Sequence, residues 1–192
     1  WNVRIMPLKF LGPDGGYTSG AVSAVEYAVT NGAKLTSNSW GGGGFSQALY
    51  DAIEASGSAD MLFVAASGNS GRDNDAIASY PSGYSLDNII SVAATDHSDA
   101  LASFSNYGLT TVDLGAPGVA ILSTTPGDTY SSYNGTSMAT PHVTGVAVLV
   151  HSAYPGLNHL QVKDRLLRTG DPVDELVGKT VSGRRLNAYN SL

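Results

Sequence analysis

Cysteine is absent from this chain of 192 residues, so it offers neither a disulfide framework nor a thiolate nucleophile. Charged residues make up only 14% of it, and the 10 Lys and Arg side chains are scattered, with a net charge of −6. Nucleic-acid binding needs clustered basic side chains, and no apolar run reaches the length of a membrane span. We therefore expect neither a nucleic acid nor a membrane as partner.

Glycine is abundant, at 23 residues, and hydrophobic residues make up 42% of the chain. This composition and length predict one globular domain with a sizeable core. The first third alternates strands and helices, and the predicted segments are strand 3–10, helix 19–31, strand 34–39, helix 45–57 and strand 61–66. Such alternation predicts an α/β fold with a mainly parallel sheet.

The remaining two thirds contain shorter elements. We predict strands at 89–94, 111–114 and 120–124, a hairpin turn at 125–128 leading into a strand at 130–133, and a short strand or turn with a final helical turn in the tail. Asn158 and Gln161 form a capping box for a helix that ends near Arg168. In parallel sheets, functional residues collect in the loops after the strands, here the glycine-rich loops 12–18, 39–44 and 67–71.

Ser137 is the first candidate for chemistry. It follows Gly135 and Thr136, and Thr136 is a suitable N-cap for a helix running to about His151. A serine hydroxyl in the first turn of a helix lies at the positive end of the helix dipole, where developing negative charge is stabilised. The alternative is that Ser137 is a second capping residue, and spacing alone does not exclude it.

A serine nucleophile also needs an oxyanion donor and a base. Asn69, which follows a buried strand, is a candidate donor, although it can equally be a turn residue. The histidines offer no base: His142 lies five residues after Ser137, about 500° round the helix axis, and is expected to be a packed, hydrogen-bonded residue. His97 lies in a predicted surface turn, and His151 and His159 lie beyond the apolar helix.

Several segments resemble the subtilisin-like serine proteases, the subtilases of peptidase family S8. The stretch 134–145, Asn-Gly-Thr-Ser-Met-Ala-Thr-Pro-His-Val-Thr-Gly, is similar to the family's catalytic-serine motif nearly residue for residue. Further similar segments are 63–69, 38–42, 79–81, 102–108, 113–118 and 183–188, and the segment 79–81 is where the family usually has a cis-proline. The resemblance therefore covers essentially the whole chain.

The resemblance implies a three-layer α/β/α fold in which Ser137 is the nucleophile, and in which Asn69 and the Ser137 N–H form the oxyanion hole. The family's catalytic Asp and His precede the segments matched here, and Asp14, Asp51 and Asp60 do not match that Asp. We expect residues 1–192 to be the C-terminal part of a single peptidase domain that lacks the N-terminal strands. A preceding segment or a companion chain would supply the missing residues, and this chain alone would be inactive. The alternative is a non-catalytic peptide-binding fragment or pseudoenzyme.

Substrate binding is also implied by the resemblance. The backbone edges that would pair with a peptide belong to Gly15, Gly16, Ser39, Trp40 and Gly41. The small residues Ser67, Gly68 and Ser79 would leave an open, uncharged pocket, which predicts apolar or aromatic side chains before the cut. For Trp40, both a pocket wall and a packing role stay open. Nucleotide binding by the glycines 41–44 is disfavoured, because a G-x-G-x-x-G pattern and a phosphate-binding lysine are lacking.

The family often binds calcium as a structural ion, and no cofactor is expected for catalysis. Asp113 matches a carboxylate ligand of a site completed by carbonyl groups of the loop 81–89. The alternative is that Asp113 is a surface carboxylate beside a turn. An extracellular location is expected from the resemblance.

Overall fold

The structure is a computed structural model, and it describes residues 3–192. Its helices are α1 (Thr18–Thr30), α2 (Gln47–Ser58), α3 (Thr136–Ala153), α4 (His159–Thr169) and α5 (Ala188–Ser191). Its strands are β1 (Leu35–Asn38), β2 (Leu62–Ala66), β3 (Ile89–Thr95), β4 (Leu114–Pro117), β5 (Ile121–Thr125), β6 (Thr129–Tyr133), β7 (Asp171–Pro172) and β8 (Arg184–Arg185). Within the described residues, no helix is both long enough and apolar enough to cross a membrane.

The main sheet has the strand order β1-β2-β3-β4-β8-β7. The pairs from β1 to β8 are parallel, and only β7 runs antiparallel to its neighbour β8 among the residues described. The strands β5 and β6 form a separate antiparallel hairpin, as the turn at 125–128 predicts. The carboxyl ends of the parallel strands β1, β2, β3 and β4 therefore lie at the same edge of the sheet.

Residues of β2 alternate between two cores, because successive side chains of a strand point to opposite faces. Leu62 and Val64 pack in a cluster with residues of α3 and α4, while Phe63 and Ala65 pack in a second cluster with residues of α1 and α2. The sheet is thus covered on both faces, which explains the unbroken apolar run of β2. This arrangement is the predicted three-layer α/β/α fold.

The apolar periodicity of α3 is confirmed. Val143, Val146, Ala147 and Val150 are all buried against the sheet. The capping box of α4 is also present, with the Asn158 side chain accepting from the Gln161 N–H. The tail forms β8 and the short helix α5, as expected.

The prediction of a strand at 3–10 is wrong for the described residues 3–192. Residues 3–11 form no strand and have no backbone hydrogen bonds to β1. A strand needs a neighbour to accept its backbone hydrogen bonds, and the segment has none here. A strand was also predicted too early at 111–114, because the residues that pair with β3 are Leu114–Pro117.

Candidate active site

The candidate nucleophile Ser137 lies in the first turn of α3, at the carboxyl edge of the sheet. Gly135, not Thr136, is the N-cap, and its φ of 156° is one that side chains with a Cβ rarely adopt. The Gly118 carbonyl oxygen accepts from the Gly135 N–H at 2.8 Å. The predicted capping role of Thr136 is therefore corrected, and Thr136 has a different function in the site.

Thr136 orients the side chain of Asn69. The Asn69 Oδ1 accepts from the Thr136 N–H at 2.8 Å and from the Thr136 hydroxyl at 2.9 Å. A backbone N–H can only donate, so the carboxamide oxygen must face α3 and the amide NH₂ group must face away from these two donors. The Thr136 hydroxyl also accepts from the Gly68 N–H at 3.2 Å, which ties the loop after β2 to the start of α3.

Two hydrogen-bond donors near the Ser137 hydroxyl, the Asn69 side-chain amide and the Ser137 N–H, have no acceptor among residues 3–192. Among residues 3–192, neither the Asn69 amide group nor the Ser137 N–H donates a hydrogen bond to protein. The Ser137 N–H is one of the N–H groups that every helix leaves unpaired in its first turn. A side-chain amide together with a helix-terminal N–H is suited to bind an oxygen on which negative charge develops.

Ser137 and Ser39 are joined by two reciprocal hydrogen bonds. The Ser39 hydroxyl donates to the Ser137 carbonyl oxygen at 2.8 Å, and the Ser137 hydroxyl donates to the Ser39 carbonyl oxygen at 3.3 Å. Pro141 explains why the first acceptor is available. In a regular helix, the N–H of residue 141 would donate to the carbonyl oxygen of residue 137, but proline has no N–H. The Ser39 hydroxyl takes the place of that missing donor.

The loop that carries Asn69 is held by the buried side chain of Asn106. The Asn106 Oδ1 accepts from the N–H groups of Ser70 and Arg72, and its amide donates to the Ser67 carbonyl oxygen and to Asn74 Oδ1. Asn106 and Asn74 are almost fully buried, and each has hydrogen-bond partners, so they stabilise the loop. Asn69 is therefore presented by a fixed loop.

Within residues 3–192, none of the four histidines hydrogen-bonds to Ser137. His142 is exposed, and its Nδ1 bonds to the Met138 carbonyl oxygen at 2.9 Å, so its predicted hydrogen bond is present but its predicted packing is wrong. His97 is exposed in a turn, as expected. The His159 Nδ1 lies 2.9 Å from Asp60 Oδ1 at the opposite end of the α3–α4 layer. The His151 Nε2 is buried without a partner among the described residues.

The predicted substrate-binding residues fall into two segments of the described chain. Gly41 and Gly42 lie against the loop at Tyr80, where the Gly42 N–H donates to the Tyr80 carbonyl oxygen at 3.1 Å. The peptide bond between Tyr80 and Pro81 is cis, as the resemblance implies. Ser79 is half-buried, and its hydroxyl would lie 3.3 Å from a Cβ added at Gly68. Ser39 therefore lies beside Ser137, Gly41 lies beside Tyr80, and Gly68 lies beside Ser79.

Gly15 and Gly16 lie in an exposed turn before α1. The Gly12 and Gly15 backbones exchange two hydrogen bonds there, and a Cβ at Gly16 would lie 2.5 Å from the Phe10 carbonyl oxygen. The Phe10 ring meets Trp40 edge-on, with 5.0 Å between the ring centroids. This contact places the turn on the side of the sheet that carries α1 and α2.

Two of the predicted binding residues have structural contacts instead. The Ser67 side chain is fully buried and donates to the Asn106 carbonyl oxygen at 3.1 Å, so it does not line a pocket surface. Trp40 is half-buried and packs edge-on against Phe63 and Phe10, while its Nε1 donates to Asn38 Oδ1 at 3.2 Å. These contacts favour the packing role of Trp40 over the pocket wall.

The residues around Asp113 do not fit a calcium ion. The Lys163 Nζ lies 3.2 Å from Asp113 Oδ1 and also donates to the Ile89 carbonyl oxygen, one of the carbonyl groups of the predicted site. The other carboxylate oxygen accepts from the Ser91 N–H at 2.7 Å. Burial raises the pKa of the Asp113 carboxyl, while Lys163 and the Ser91 N–H act in the opposite direction. An ammonium group at this point repels a divalent ion.

Comparisons with known proteins agree with this geometry. The profile of the subtilase family matches residues 1–186. Alkaline elastase YaB from Bacillus sp. (strain YaB) is 40% identical over 169 residues, which cover 88% of this chain and 43% of that protein. Subtilisin DY from Bacillus licheniformis is 42% identical over 170 residues, which cover 88% of this chain and 61% of that protein. The chain thus spans less than two thirds of the length of these relatives.

A solved structure, that of the prenylagaramide maturation protease PagA, superposes with a TM-score of 0.81 and 28% identity. The superposition covers 91% of this chain and 66% of that one. The layered parallel sheet and the serine at the helix start are those of a subtilisin-like α/β protein. The chain belongs to the subtilase family.

Proposed function

We propose that this chain carries the nucleophile and the oxyanion hole of a serine endopeptidase, with Ser137 and Asn69 in these roles. The orientation of the Asn69 carboxamide carries the proposal. Its oxygen is held by two donors of Thr136, so its NH₂ group is left to bind a substrate oxygen. If Asn69 were only a turn residue, it would not need the two hydrogen bonds from Thr136. If Ser137 were only a capping residue, it would not need two unpaired donors, the Asn69 amide and its own N–H, beside it.

In the proposed reaction, the Ser137 Oγ attacks the carbonyl carbon of a peptide bond and its proton passes to a base. The carbonyl oxygen becomes an oxyanion that accepts from the Asn69 amide and the Ser137 N–H. In the structure, the Ser137 hydroxyl donates to the Ser39 carbonyl oxygen, which is not a base. The base and its acidic partner are therefore proposed to come from a segment or companion chain outside residues 1–192.

The open side of β1 is where such a segment would bind. β1 pairs with β2 on one side, and its other edge has no strand partner among residues 3–192. A strand added there would pair with β1 and would also give the irregular segment 3–11 a neighbour. If the added strand runs parallel to β1, a histidine and an aspartate near its carboxyl end would lie at the same edge of the sheet as Ser137.

The peptide substrate is proposed to bind by strand addition along the backbone of Ser39, Trp40 and Gly41. The residues nearest the expected pocket, Gly41, Gly68 and Ser79, are small and uncharged, so apolar or aromatic side chains are expected before the cut. Secretion is proposed from the same family membership. Exclusive cleavage after Arg or Lys by the complete protease would contradict the pocket assignment.

The second candidate function is a peptide-binding protein without catalysis. The observation that favours it is the position of the Ser137 hydroxyl, which bonds to a carbonyl oxygen and to no histidine among the described residues. In this case the strand edge and the oxyanion donors would bind a peptide without cleaving it.

Labelling with a serine-reactive phosphonate separates the two functions. The chain is refolded alone, and also together with the part of subtilisin DY that this chain does not match. Labelling at Ser137 in the mixture, and its loss in Ser137→Ala, is expected for the protease. A stable complex without labelling would support the non-catalytic function. Rapid labelling of the isolated chain would contradict the proposal that the base lies outside residues 1–192.

A further inference from the structure

Lys163 occupies the point where the predicted calcium ligands converge. It lies on α4, and its ammonium group contacts both Asp113 Oδ1, at 3.2 Å, and the carbonyl oxygen of Ile89. One carboxylate and one loop carbonyl are the ligand types that calcium prefers. The ammonium therefore has two of the oxygen contacts that a bound cation would have.

The burial of this group explains why a positive charge is needed there. The side chains of Asp113 and Lys163 are only 12% and 19% exposed. Asp113 is fixed in place, because its Oδ2 accepts from the Ser91 N–H at 2.7 Å and its own N–H donates to the Ser91 carbonyl oxygen at 2.9 Å. A buried carboxylate without a compensating charge is strongly destabilising or takes up a proton, so a neighbouring cation stabilises its charged form.

We infer that the Lys163 ammonium is a covalently attached substitute for a structural cation, so that the Asp113 site is independent of calcium in this chain. Calcium needs six to eight oxygen ligands at about 2.3–2.6 Å. The lysine fills the space between the two ligands and repels the ion, and the described residues contain no cluster of three acidic, His or Cys groups that would outweigh that repulsion. The site is expected to bind a metal cation only when the lysine charge is removed.

A bound calcium ion and a tethered ammonium group differ in their effect on thermal stability. A ligand that binds the folded state raises the melting temperature with its concentration, whereas a tethered ammonium gives the same stabilisation at every calcium concentration. It also links α4 to the centre of the sheet, because Asp113 precedes β4 and Ile89 begins β3. This inference does not depend on the proposed protease activity.

The test uses the full chain and the variant Lys163→Met, which removes the charge and whose flexible side chain can turn out of the space between the two oxygens. Melting is followed with a chelator and with millimolar calcium. In the chelator, Lys163→Met is expected to melt lower by on the order of ten degrees, because it leaves a buried carboxylate unpaired. Added calcium is expected to restore part of that loss in Lys163→Met, and to give no comparable gain at this site in the unsubstituted chain.

Matched variants make the result specific. Lys179→Met removes an exposed lysine whose partner Glu175 lies at 3.4 Å, and it is expected to change the melting temperature little and without calcium dependence. The double variant Asp113→Asn with Lys163→Met has no charge at the site and should not respond to calcium.

If Lys163→Met is unfolded in the chelator, its refolding by calcium would support the inference. A Lys163→Met chain that gains no more from calcium than the unsubstituted chain, or that calcium does not refold, would overturn it. An equal gain in the double variant would also overturn it, because the response would then come from another site.

Discussion

The two ends of the main sheet differ in how their edge strands are closed. At one end lies β7, a strand of two residues that ends in Pro172, and its Asp171 accepts from Arg185 Nη2 at 2.8 Å. Short, proline-containing edges of this kind do not invite another strand. At the other end lies β1, with four residues and an outer edge that has no partner strand among those described. The candidate active site is built at the open end.

The residues that stabilise the sheet most and the residues of the candidate site therefore lie in different parts of the sheet. The fully buried strand residues of the cluster around α3 and α4 come from β2, β3 and β4, whereas Leu35 of β1 is only partly buried against that cluster. Ser39 follows β1 directly. The candidate site therefore depends on the part of the sheet that is least supported by the chain itself. Variants of the two ends can test whether this contrast holds.

The largest loss of stability is expected in the cluster around α3 and α4. Leu166 of α4 is fully buried, and Leu166→Ala should lower the free energy of unfolding by about 2–5 kcal/mol. The matched change Leu35→Ala, in half-buried β1, should cost less. Urea unfolding measures both values. Equal losses would contradict the proposed difference between the two ends, and a larger cost of Leu35→Ala after a partner segment is added would show that the segment buries β1.

The second prediction concerns Asn69 at the open end. In the complemented protease, Asn69→Ala should lower kcat by about 10²–10³, because one oxyanion donor is lost. Asn69→Asp provides the control, since it keeps oxygen acceptors for Thr136 and lacks the NH₂ group. Both variants should lose activity, whereas the Asp variant should keep more of the stability. An Asp variant with full kcat would exclude Asn69 as an oxyanion donor.

A smaller effect is expected from the hydrogen bond between Ser39, directly after β1, and the first turn of α3. Ser39→Ala removes the hydroxyl that donates to the Ser137 carbonyl oxygen, and should lower the free energy of unfolding by about 1 kcal/mol. Ser37→Ala is the control, because it removes the acceptor of the hydrogen bond from Thr144 Oγ1 of α3 to Ser37 Oγ of β1. If Ser39→Ala slows phosphonate labelling of the complemented protease and Ser37→Ala does not, the bond positions the nucleophile. Equal slowing would assign both bonds to general stability.

The smallest effect is a pH dependence from His151, which lies in the last turn of α3, at the other end of that helix from Ser137. Desolvation by burial lowers the pKa of His151, even though its place in the last turn of α3 would favour the charged form. The unfolded chain then binds the proton more readily, so stability should fall as pH decreases below the unfolded pKa of about 6.5, until the folded pKa is passed. Urea midpoints between neutral and mildly acidic pH should show this fall. His151→Leu should flatten it, and an unchanged slope would exclude His151 as its source.

Much of the fold was predictable from residue patterns. The helical spacing of apolar residues in α3, the apolar run of β2 and the Asn158 capping box each reflect a local rule, and each is present. The strand at 3–10 was mispredicted because strand formation depends on a neighbour that local sequence does not show. The N-cap was assigned to Thr136 because threonine is a common cap, but the hydroxyl bonds to Asn69 instead.

The candidate site was predictable only in part. The family motif points to Ser137 and Asn69, but the orientation of the Asn69 amide depends on Thr136, 67 residues away in sequence. The role of Asn106 depends on loops that meet only in the folded chain. Lys163 could not be connected with Asp113 because α4 and β4 are distant in sequence and helix periodicity gives no information on sheet contacts. Pro141 did carry a signal, since a proline inside a helix always leaves one carbonyl group without its helical donor.

Pro141 has a consequence for the motions of the site. The carbonyl group it leaves unpaired is satisfied by Ser39, so the first turn of α3 is completed by a residue of another element. When the end of β1 moves away, this turn loses a hydrogen bond at the same moment. Opening of the strand edge and fraying of the helix start should therefore occur as one event, and the amides of both segments should exchange their hydrogens at a common rate.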